Sequence, residues 1–203
     1  ISNQMTKIIG LTGGIGSGKS TVARYIESQG ISIYIADDEA RKLTDSMEVK
    51  NAIVSAFGNE ILENGIVNRK ALSQIVFNNA KNLQKLNSII HPAVQVHFLE
   101  WLEKHSTEPF IIKEVAILFE SGSYKNCDKI ITVEAPEEIR LQRVMLRDHA
   151  SEDAVKDRMR NQWTDGMRAA KSDFVVVNLN LEEMKLQVDE ILKKLKKLQY
   201  CTF

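Results

Sequence analysis

The sequence has little of several features that would mark specialised classes of protein. Only two cysteines occur among 203 residues, Cys127 and Cys201, and they match no metal-binding spacing. Basic and acidic residues number 27 each, so there is no overall positive field of the kind that attracts nucleic acid. No apolar run approaches the roughly 20 residues of a membrane-spanning helix. We therefore expect a reduced, cytoplasmic protein that binds neither nucleic acid nor membrane.

Internal repeats and low-complexity linkers are also absent, which favours a single folded unit with insertions. The hydrophobic and charged fractions, 43% and 27%, are ordinary for a globular protein. Met5 looks like a natural start, which sets residues 1–4 apart from the rest. We expect the protein to be a monomer or a weak homo-oligomer that acts on small molecules.

One short stretch carries a specific phosphate-binding motif. Residues 13–20 read GGIGSGKS and fit the P-loop pattern G-x-x-x-x-G-K-S/T. Glycines let the backbone N–H groups surround a polyphosphate at the positive end of the following helix. Lys19 is suited to the β- and γ-phosphates, and the Ser20 hydroxyl is suited to Mg²⁺. The predicted nucleotide-binding residues are Gly14, Ile15, Gly16, Ser17, Gly18, Lys19, Ser20 and Thr21.

The residues around this loop predict a strand and a helix in the required order. A buried strand is predicted over residues 7–12, and a helix over residues 20–27 that ends at Gly30. The dinucleotide pattern G-x-G-x-x-G fails, because its last position is Lys19 when counted from Gly14 and Thr21 when counted from Gly16. A glycine-rich turn with a chance lysine is the weaker interpretation, so the chain is predicted to bind a nucleoside triphosphate.

Two aspartates follow the second predicted strand, residues 31–36. Ligands meet the carboxyl ends of strands in open parallel sheets, so Asp37 and Asp38 are expected where a phosphate acceptor lies. One of them could take the proton of an attacking hydroxyl. The alternative is that one of them caps the next helix, residues 39–43, and both interpretations can hold, one for each residue.

From about residue 48 to residue 104 the apolar spacing is helical, with a predicted turn at Asn64-Gly65. Two separate helices are predicted on either side of His91-Pro92. The block is too long for a simple crossover, so we interpret it as an acceptor-binding insertion. His91 is more typical of a structural than a catalytic histidine, because no metal partners stand at ligand spacing.

Three more strands are predicted, beginning at residues 110, 129 and 174. The first is apolar throughout, which favours a strand buried on both faces beside the P-loop strand. Glu114 follows it and could organise Mg²⁺ through water. A last helix is predicted from Asn180, with Glu183 as its capping-box partner.

Three arginines, Arg140, Arg143 and Arg147, stand at spacings of three and four, so one helical face carries them all. A solvated face paired with nearby carboxylates is the plain interpretation. Downstream of a P-loop, we favour a mobile lid that neutralises a transferring phosphoryl group and excludes water.

Further segments, in order from Met5, resemble the dephospho-CoA kinase family. They are GLTGGIGSGKST (10–21), ADDEAR (36–41), NRKALSQIVF (68–77), IIHP (89–92), ILFESGSYK (117–125), QRVMLRD (142–148), RNQW (160–163) and SDFVVVN (172–178). The resemblance implies an α/β P-loop kinase fold with a five-stranded parallel sheet flanked by helices. It implies one kinase unit made of a core (5–37, 108–138 and 172–203), a helical acceptor-binding insertion (38–107) and an arginine-bearing lid (139–171).

The resemblance also implies a reaction, namely transfer of the ATP γ-phosphate to the ribose 3′-hydroxyl of dephospho-CoA in the presence of Mg²⁺. This is the last step of coenzyme A biosynthesis. The family's catalytic aspartate falls on Asp37 and its lid arginines on Arg143 and Arg147, while Lys19 completes the catalytic set. By the same resemblance, the acceptor-binding residues are Asp38, Arg69 and His91.

Two positions depart from the family's pattern. Ile35 replaces the first aspartate of D-A-D, so Asp38 is expected to share polar duties with Asp37. Ala116 replaces the proline of P-L-L-F-E, which leaves the turn after the third strand less fixed. Two alternatives stay open, a kinase for another small acceptor such as a nucleoside monophosphate and a nucleotide-gated switch that hydrolyses slowly.

Overall fold

The computed structural model describes residues 5–77 and 79–198, which form two compact units. Among the described residues, one unit comprises 5–34 and 105–198, and the other comprises 35–77 and 79–104. Cys127 is a free thiol, whereas Cys201 and residues 1–4 lie outside the described residues. Among the described helices, none combines the length and the apolar character needed to cross a membrane.

The first part of the chain supplies β1 (Lys7–Gly13), α1 (Lys19–Ser28) and β2 (Ile33–Ile35). The second unit then contains α2 (Ala36–Thr44), α3 (Met47–Phe57), β3 (Leu62–Glu63), β4 (Ile66–Val67), α4 (Arg69–Phe77) and α5 (Ala80–Lys104). The rest of the first unit contains β5 (Phe110–Glu114), β6 (Lys129–Glu134), α6 (Glu137–Asp148), α7 (Glu152–Arg160), α8 (Asp165–Ala170), β7 (Phe174–Val177) and α9 (Leu181–Leu198).

The main sheet has five strands in the order β2-β5-β1-β6-β7. β1 pairs in parallel with β5 on one side and with β6 on the other, and β6 pairs in parallel with β7. The predicted five-stranded sheet is thus confirmed, as is the prediction that the third core strand lies beside the P-loop strand. β1 lies in the centre of the sheet, and its apolar residues are therefore buried. Its carboxyl end leads directly into the phosphate-binding loop.

Helices α1 and α9 pack together against one face of this sheet. Burial of their apolar stripes supplies the stabilisation that a short helix such as α1 lacks on its own. The side chain of Asn180 accepts a hydrogen bond from the Glu183 N–H at 2.9 Å, so the predicted start of the last helix is correct. The buried side chains of this core include Leu11, Val22, Ile26, Ile112, Val133, Val176, Met184 and Val188.

In its described residues, the second unit is helical apart from one small hairpin, β3–β4, that the apolar spacing did not predict. Asn64 and Gly65 both have positive φ, 51° and 77°, which suits a two-residue connection between antiparallel strands. The turn at Asn64-Gly65 was predicted, but the strands on either side contribute only two residues each, too few for a periodic pattern. The core of this unit consists of Val49, Ile53, Ile61, Val67, Leu72 and Leu86.

The predicted break at His91-Pro92 is wrong, because α5 continues through Pro92 from residue 80 to residue 104. Proline removes one backbone donor from a helix, yet buried Leu86 and Phe98 anchor α5 on both sides of it. The second strand is also shorter than predicted, since Ala36 already begins α2. Asp37 and Asp38 therefore lie inside the first turn of α2, and neither is its capping residue, which is Ile35.

Candidate nucleotide-binding site

The loop between β1 and α1 has a backbone that requires glycine at two positions. Gly16 and Gly18 have φ of 79° and 90°, values that residues with side chains rarely adopt. A Cβ atom on Gly16 would lie 2.5 Å from the carbonyl oxygen of Arg140, and one on Gly18 would collide with the side-chain amide of Asn178. The loop therefore approaches its neighbours closely, as a backbone cradle for an anion must.

The N-terminus of α1 is electrostatically suited to an anion. The Gly18 carbonyl accepts hydrogen bonds from the N–H groups of Thr21 and Val22, at 3.0 and 3.2 Å, which starts the helix at the end of the loop. The first turn of α1 contains no acidic residue, whereas α2 and α6 both carry acids there. The positive end of the α1 dipole is thus left uncompensated by its own side chains, as expected of a phosphate-binding helix.

Two side chains from distant parts of the chain hold the carbonyl groups of the loop. Asn178 Nδ2 donates to the Ser17 carbonyl at 2.9 Å. Arg143 donates to the carbonyls of Gly16 and Ser17, each at 3.4 Å, and also to the Asn178 carbonyl at 3.0 Å. These contacts fix the peptide planes of the loop, so Arg143 lies beside the loop and binds its backbone.

Lys19 and Glu114 form an ion pair at the end of the loop. Lys19 Nζ lies 4.0 Å from Glu114 Oε1, and their side chains are only 14% and 9% exposed. Glu114 pairs in register with Leu11 of β1, which brings the end of β5 beside the start of α1. The carboxylate predicted from the sequence at this strand end therefore stands next to the P-loop lysine.

A hydroxyl and a carboxylate are oxygen ligands of the kind Mg²⁺ prefers, so Ser20 and Glu114 fit this ion chemically. Ser20 is exposed at the start of α1. In the described part of the chain, no group of three or more His, Cys, Asp or Glu side chains forms a metal cage. Magnesium commonly keeps several waters and substrate phosphates as ligands, so a site with few protein groups suits it.

The three arginines of α6 make three different sets of contacts. Arg140 is buried, pairs with Asp165 at 3.6 Å and donates to the Ile15 carbonyl at 3.5 Å. Arg147 is exposed and binds Asp148 at 2.6 and 3.0 Å. Hydrogen bonds from Arg147 and Arg158 hold the pKa of the Asp148 carboxyl well below its usual range. The three arginines are spaced so that they share one face of α6, but their hydrogen-bond and ion-pair partners differ.

The predicted acceptor-side residues all belong to the second unit. Asp37 is exposed in the first turn of α2, and Asp38 accepts a hydrogen bond from Arg41 at 3.1 Å. Arg69 joins α4 to α2 through the Arg41 carbonyl and the Asp45 carboxylate, each at 3.0 Å. His91 is exposed on α5, so it takes no part in the core of this unit.

Two residues of the loop's surroundings were not predicted from the sequence. Gln162 accepts a hydrogen bond from the Ile15 N–H at 2.9 Å, and Asn178 binds Ser17 as described above. The position of Asn178, directly after the carboxyl end of β7, was the available signal for its role. Gln162 follows α7 in an irregular stretch, and the available signal was its place in the segment RNQW (160–163), which carries part of the family resemblance.

A family model described as dephospho-CoA kinase matches residues 7–183, which include every element from β1 to the start of α9. The chain belongs to the dephospho-CoA kinase family. The Dephospho-CoA kinase of Fusobacterium nucleatum is 42% identical over 184 residues, which cover 90% of this chain and 95% of that protein. The resemblance inferred from the sequence motifs is therefore confirmed.

Solved structures agree with this membership of the dephospho-CoA kinase family. A structure titled Dephospho-CoA kinase from Campylobacter jejuni superposes with a TM-score of 0.72 at 30% identity, covering 95% of this chain and 98% of its own. A Thermus thermophilus protein superposes with a TM-score of 0.85 at 30% identity, covering 94% and 97%. The P-loop kinase fold predicted from the sequence is confirmed.

Proposed function

We propose that the protein transfers the γ-phosphate of ATP to the ribose 3′-hydroxyl of dephospho-CoA, which yields coenzyme A and ADP. The observation that carries the proposal is the family match over residues 7–183, which spans the phosphate-binding loop, the acidic first turn of α2 and the arginines of α6. This phosphorylation is the last step of coenzyme A biosynthesis. The proposal includes a cytoplasmic location and a monomeric or weakly associating state.

The donor side of the reaction uses the loop and α1. The backbone N–H groups of the loop and the positive end of α1 bind the phosphates of ATP. Lys19, oriented by Glu114 at 4.0 Å, stabilises the negative charge on the β- and γ-phosphates. Ser20 would hold Mg²⁺, with Glu114 acting through water, and the ion when bound would neutralise phosphate charge.

On the acceptor side, Asp37 orients the 3′-hydroxyl and takes its proton. The bond from the ribose oxygen to the γ-phosphorus forms, the bond from that phosphorus to the β,γ-bridging oxygen breaks, and ADP leaves with the electron pair. In this proposal Asp38, Arg69 and His91 contact the acceptor, and residues 38–107 form the acceptor-binding insertion.

The arginines act while the phosphoryl group moves. Arg147 stabilises the charge that develops on the group, and Arg143 does so from its place beside the loop, where it also holds the Gly16 and Ser17 carbonyls. Residues 139–171 act as the lid, and its exposed part around Arg147 closes over the site. Closure excludes water, which would otherwise compete with the ribose hydroxyl for the phosphoryl group.

A panel of acceptors tests the proposal. The protein is incubated with ATP and Mg²⁺ in the presence of dephospho-CoA, AMP, CMP or no acceptor, and ADP release is measured together with phosphorus NMR of the products. We expect ADP release only with dephospho-CoA, and a new phosphomonoester on its 3′-oxygen. Phosphorylation of a nucleoside monophosphate alone would contradict the proposal. ADP release that is equal with and without acceptors would favour a nucleotide-gated switch.

A further inference from the structure

Ile15, in the middle of the phosphate-binding loop, is held through both polar groups of its backbone. Its N–H donates to Gln162 Oε1 at 2.9 Å, and its carbonyl accepts from Arg140 Nη1 at 3.5 Å. Both partners lie in the predicted lid, more than 120 positions along the chain. No other assigned role accounts for Gln162.

The two partners belong to one closed circuit, which consists of polar contacts and of the peptide bond between Gln162 and Trp163. Arg140 pairs with Asp165 at 3.6 Å, and Asp165 pairs with Arg168 at 3.4 Å. Arg168, which is completely buried, donates to Glu120 at 3.0 Å. Glu120 in turn accepts from the Trp163 N–H at 2.9 Å, and Trp163 follows Gln162 directly in the sequence. The circuit begins and ends at Ile15.

Ring stacking strengthens the part of the circuit nearest Gln162. The Trp163 ring stacks on Phe119 with 5.2 Å between centroids and 6° between planes, and Lys171 lies over the Trp163 ring at 5.5 Å. Stacked aromatic pairs add stability beyond the area they bury. The stacking of Trp163 and the buried Arg168 thus fix the backbone next to Gln162. Its amide oxygen is therefore held in position to accept from the Ile15 N–H.

We propose that Gln162 is a positioning residue for the phosphate-binding loop. Its amide oxygen holds the Ile15 N–H while the loop binds ATP, so the donors from Gly16 onward keep the geometry that phosphates require. Because Arg140 holds the carbonyl of the same residue, the circuit fixes the orientation of both peptide planes that flank Ile15. Preorganised donors lose less entropy when a ligand binds, which is how a residue that does not touch ATP raises its affinity.

The opposite role for Gln162 would be competition with a phosphate for the Ile15 N–H. The two roles differ in sign, because removal of a positioning bond weakens ATP binding and removal of a competitor strengthens it. Gln162→Met removes the acceptor at nearly constant volume. For the loss of one neutral hydrogen bond, the expected rise in the Kd for ATP is about fivefold. Gln162→Asn keeps the amide but shortens its reach, and the same rise is expected.

Gln187 offers a matched control. Its side chain accepts from the Val177 N–H at 2.9 Å and donates to the Val177 carbonyl at 2.9 Å, so it makes two hydrogen bonds to one backbone residue where Gln162 makes one. Gln187→Met should lower thermal stability at least as much as Gln162→Met and leave the Kd for ATP unchanged. A common loss of ATP affinity in both variants would assign the effect to general destabilisation and overturn the proposal.

Calorimetric titration with ATP and hydrogen exchange of the Ile15 amide, followed by NMR, decide the question. In both Gln162 variants we expect weaker ATP binding and an Ile15 amide that exchanges about fivefold faster. Unchanged exchange, an unchanged Kd or a lower Kd would overturn the proposal. The inference rests on ATP as the donor in the proposed function, but neither measurement uses the acceptor. A wild-type protein without ATP affinity would refute both, whereas wild-type binding with unaltered Gln162 variants refutes this inference alone.

Discussion

Glu114 lies beside Lys19, with 4.0 Å between the carboxylate Oε1 and the ammonium nitrogen, although the two residues stand 95 positions apart in the chain. Glu114 ends β5, and Lys19 begins α1. The parallel pairing of β5 with β1 is what brings these two ends together. A nearly buried carboxylate therefore orients the lysine of the phosphate-binding loop, and in the proposed function it also acts on Mg²⁺ through water.

Replacement of Glu114 by glutamine tests this arrangement. Glu114→Gln keeps the shape of the side chain and removes its charge, so we expect turnover to fall about 10- to 100-fold and the Mg²⁺ concentration for half-maximal rate to rise. Initial rates measured against Mg²⁺ concentration check both. Glu108→Gln is the control, because Glu108 accepts from Ser32 at 2.6 Å just before the other end of β5. A Glu114→Gln enzyme with the Mg²⁺ dependence of the wild type would remove Glu114 from this role.

Asp37 and Asp38 are adjacent in the sequence but have different expected roles. Replacement of each by asparagine should therefore give different kinetic effects. Asp37→Asn should bind ATP normally and lose turnover about 100-fold or more, because the amide cannot take a proton from the acceptor hydroxyl. Asp38→Asn should show a smaller loss, mainly as a higher KM for dephospho-CoA, since Asp38 is paired with Arg41. Steady-state kinetics and ATP titration of both variants supply the test. Near-normal turnover of Asp37→Asn would exclude Asp37 as the base.

Arg143 and Arg147 should respond differently to truncation. Arg143 binds three backbone carbonyls around the loop, so Arg143→Ala should lower the melting temperature and raise the Kd for ATP. Arg147→Ala removes only exposed contacts with Asp148, so ATP affinity and stability should be retained. If Arg147 steadies the moving phosphoryl group, its loss should still lower kcat about 1,000-fold. Equal effects of the two variants on ATP affinity would contradict this division of roles.

Local patterns were enough to predict most of the fold. The apolar runs that become β1, β5, β6 and β7, and the motif that becomes the loop, are each encoded within a few consecutive residues. The start of the last helix was predicted from Asn180 and Glu183, three positions apart. Pro92 misled the same reasoning, because the proline rule is local and the packing of Leu86 and Phe98 that overrides it is not.

The surroundings of the loop depend on contacts between distant residues, which a single sequence does not encode visibly. Arg143 and Gly16 are 127 positions apart, and Gln162 and Ile15 are 147 apart. Periodicity placed Arg143 on one face of a helix, but only the packing of α6 against the loop assigns its hydrogen bonds to carbonyl groups. The irregular segment that holds Gln162 has no period from which any contact could be inferred.

The thiol of Cys127 should make stability depend on alkaline pH. Burial raises the pKa of the Cys127 thiol to about 11. In the unfolded chain a thiol ionises near pH 8.5, so between that pH and the folded pKa the unfolded state binds fewer protons and stability should fall as pH rises. Urea unfolding of the wild type and of Cys127→Ala from pH 7 to pH 10 measures the difference. Equal pH slopes in the two proteins would contradict the shift.

Pro92 should lower the stability of α5, since proline gives the helix no N–H at this position and crowds the preceding turn. Pro92→Ala restores the donor, and the restored bond outweighs the greater freedom that alanine gives the unfolded chain. We expect the free energy of unfolding to rise by about 1–2 kcal/mol. Ala93→Pro, one position further along the same helix, is the opposite change and should destabilise. Urea unfolding of the three proteins provides the measurement, and a less stable Pro92→Ala would mean that the proline fixes a helix geometry that the packing around Leu86 and Phe98 requires.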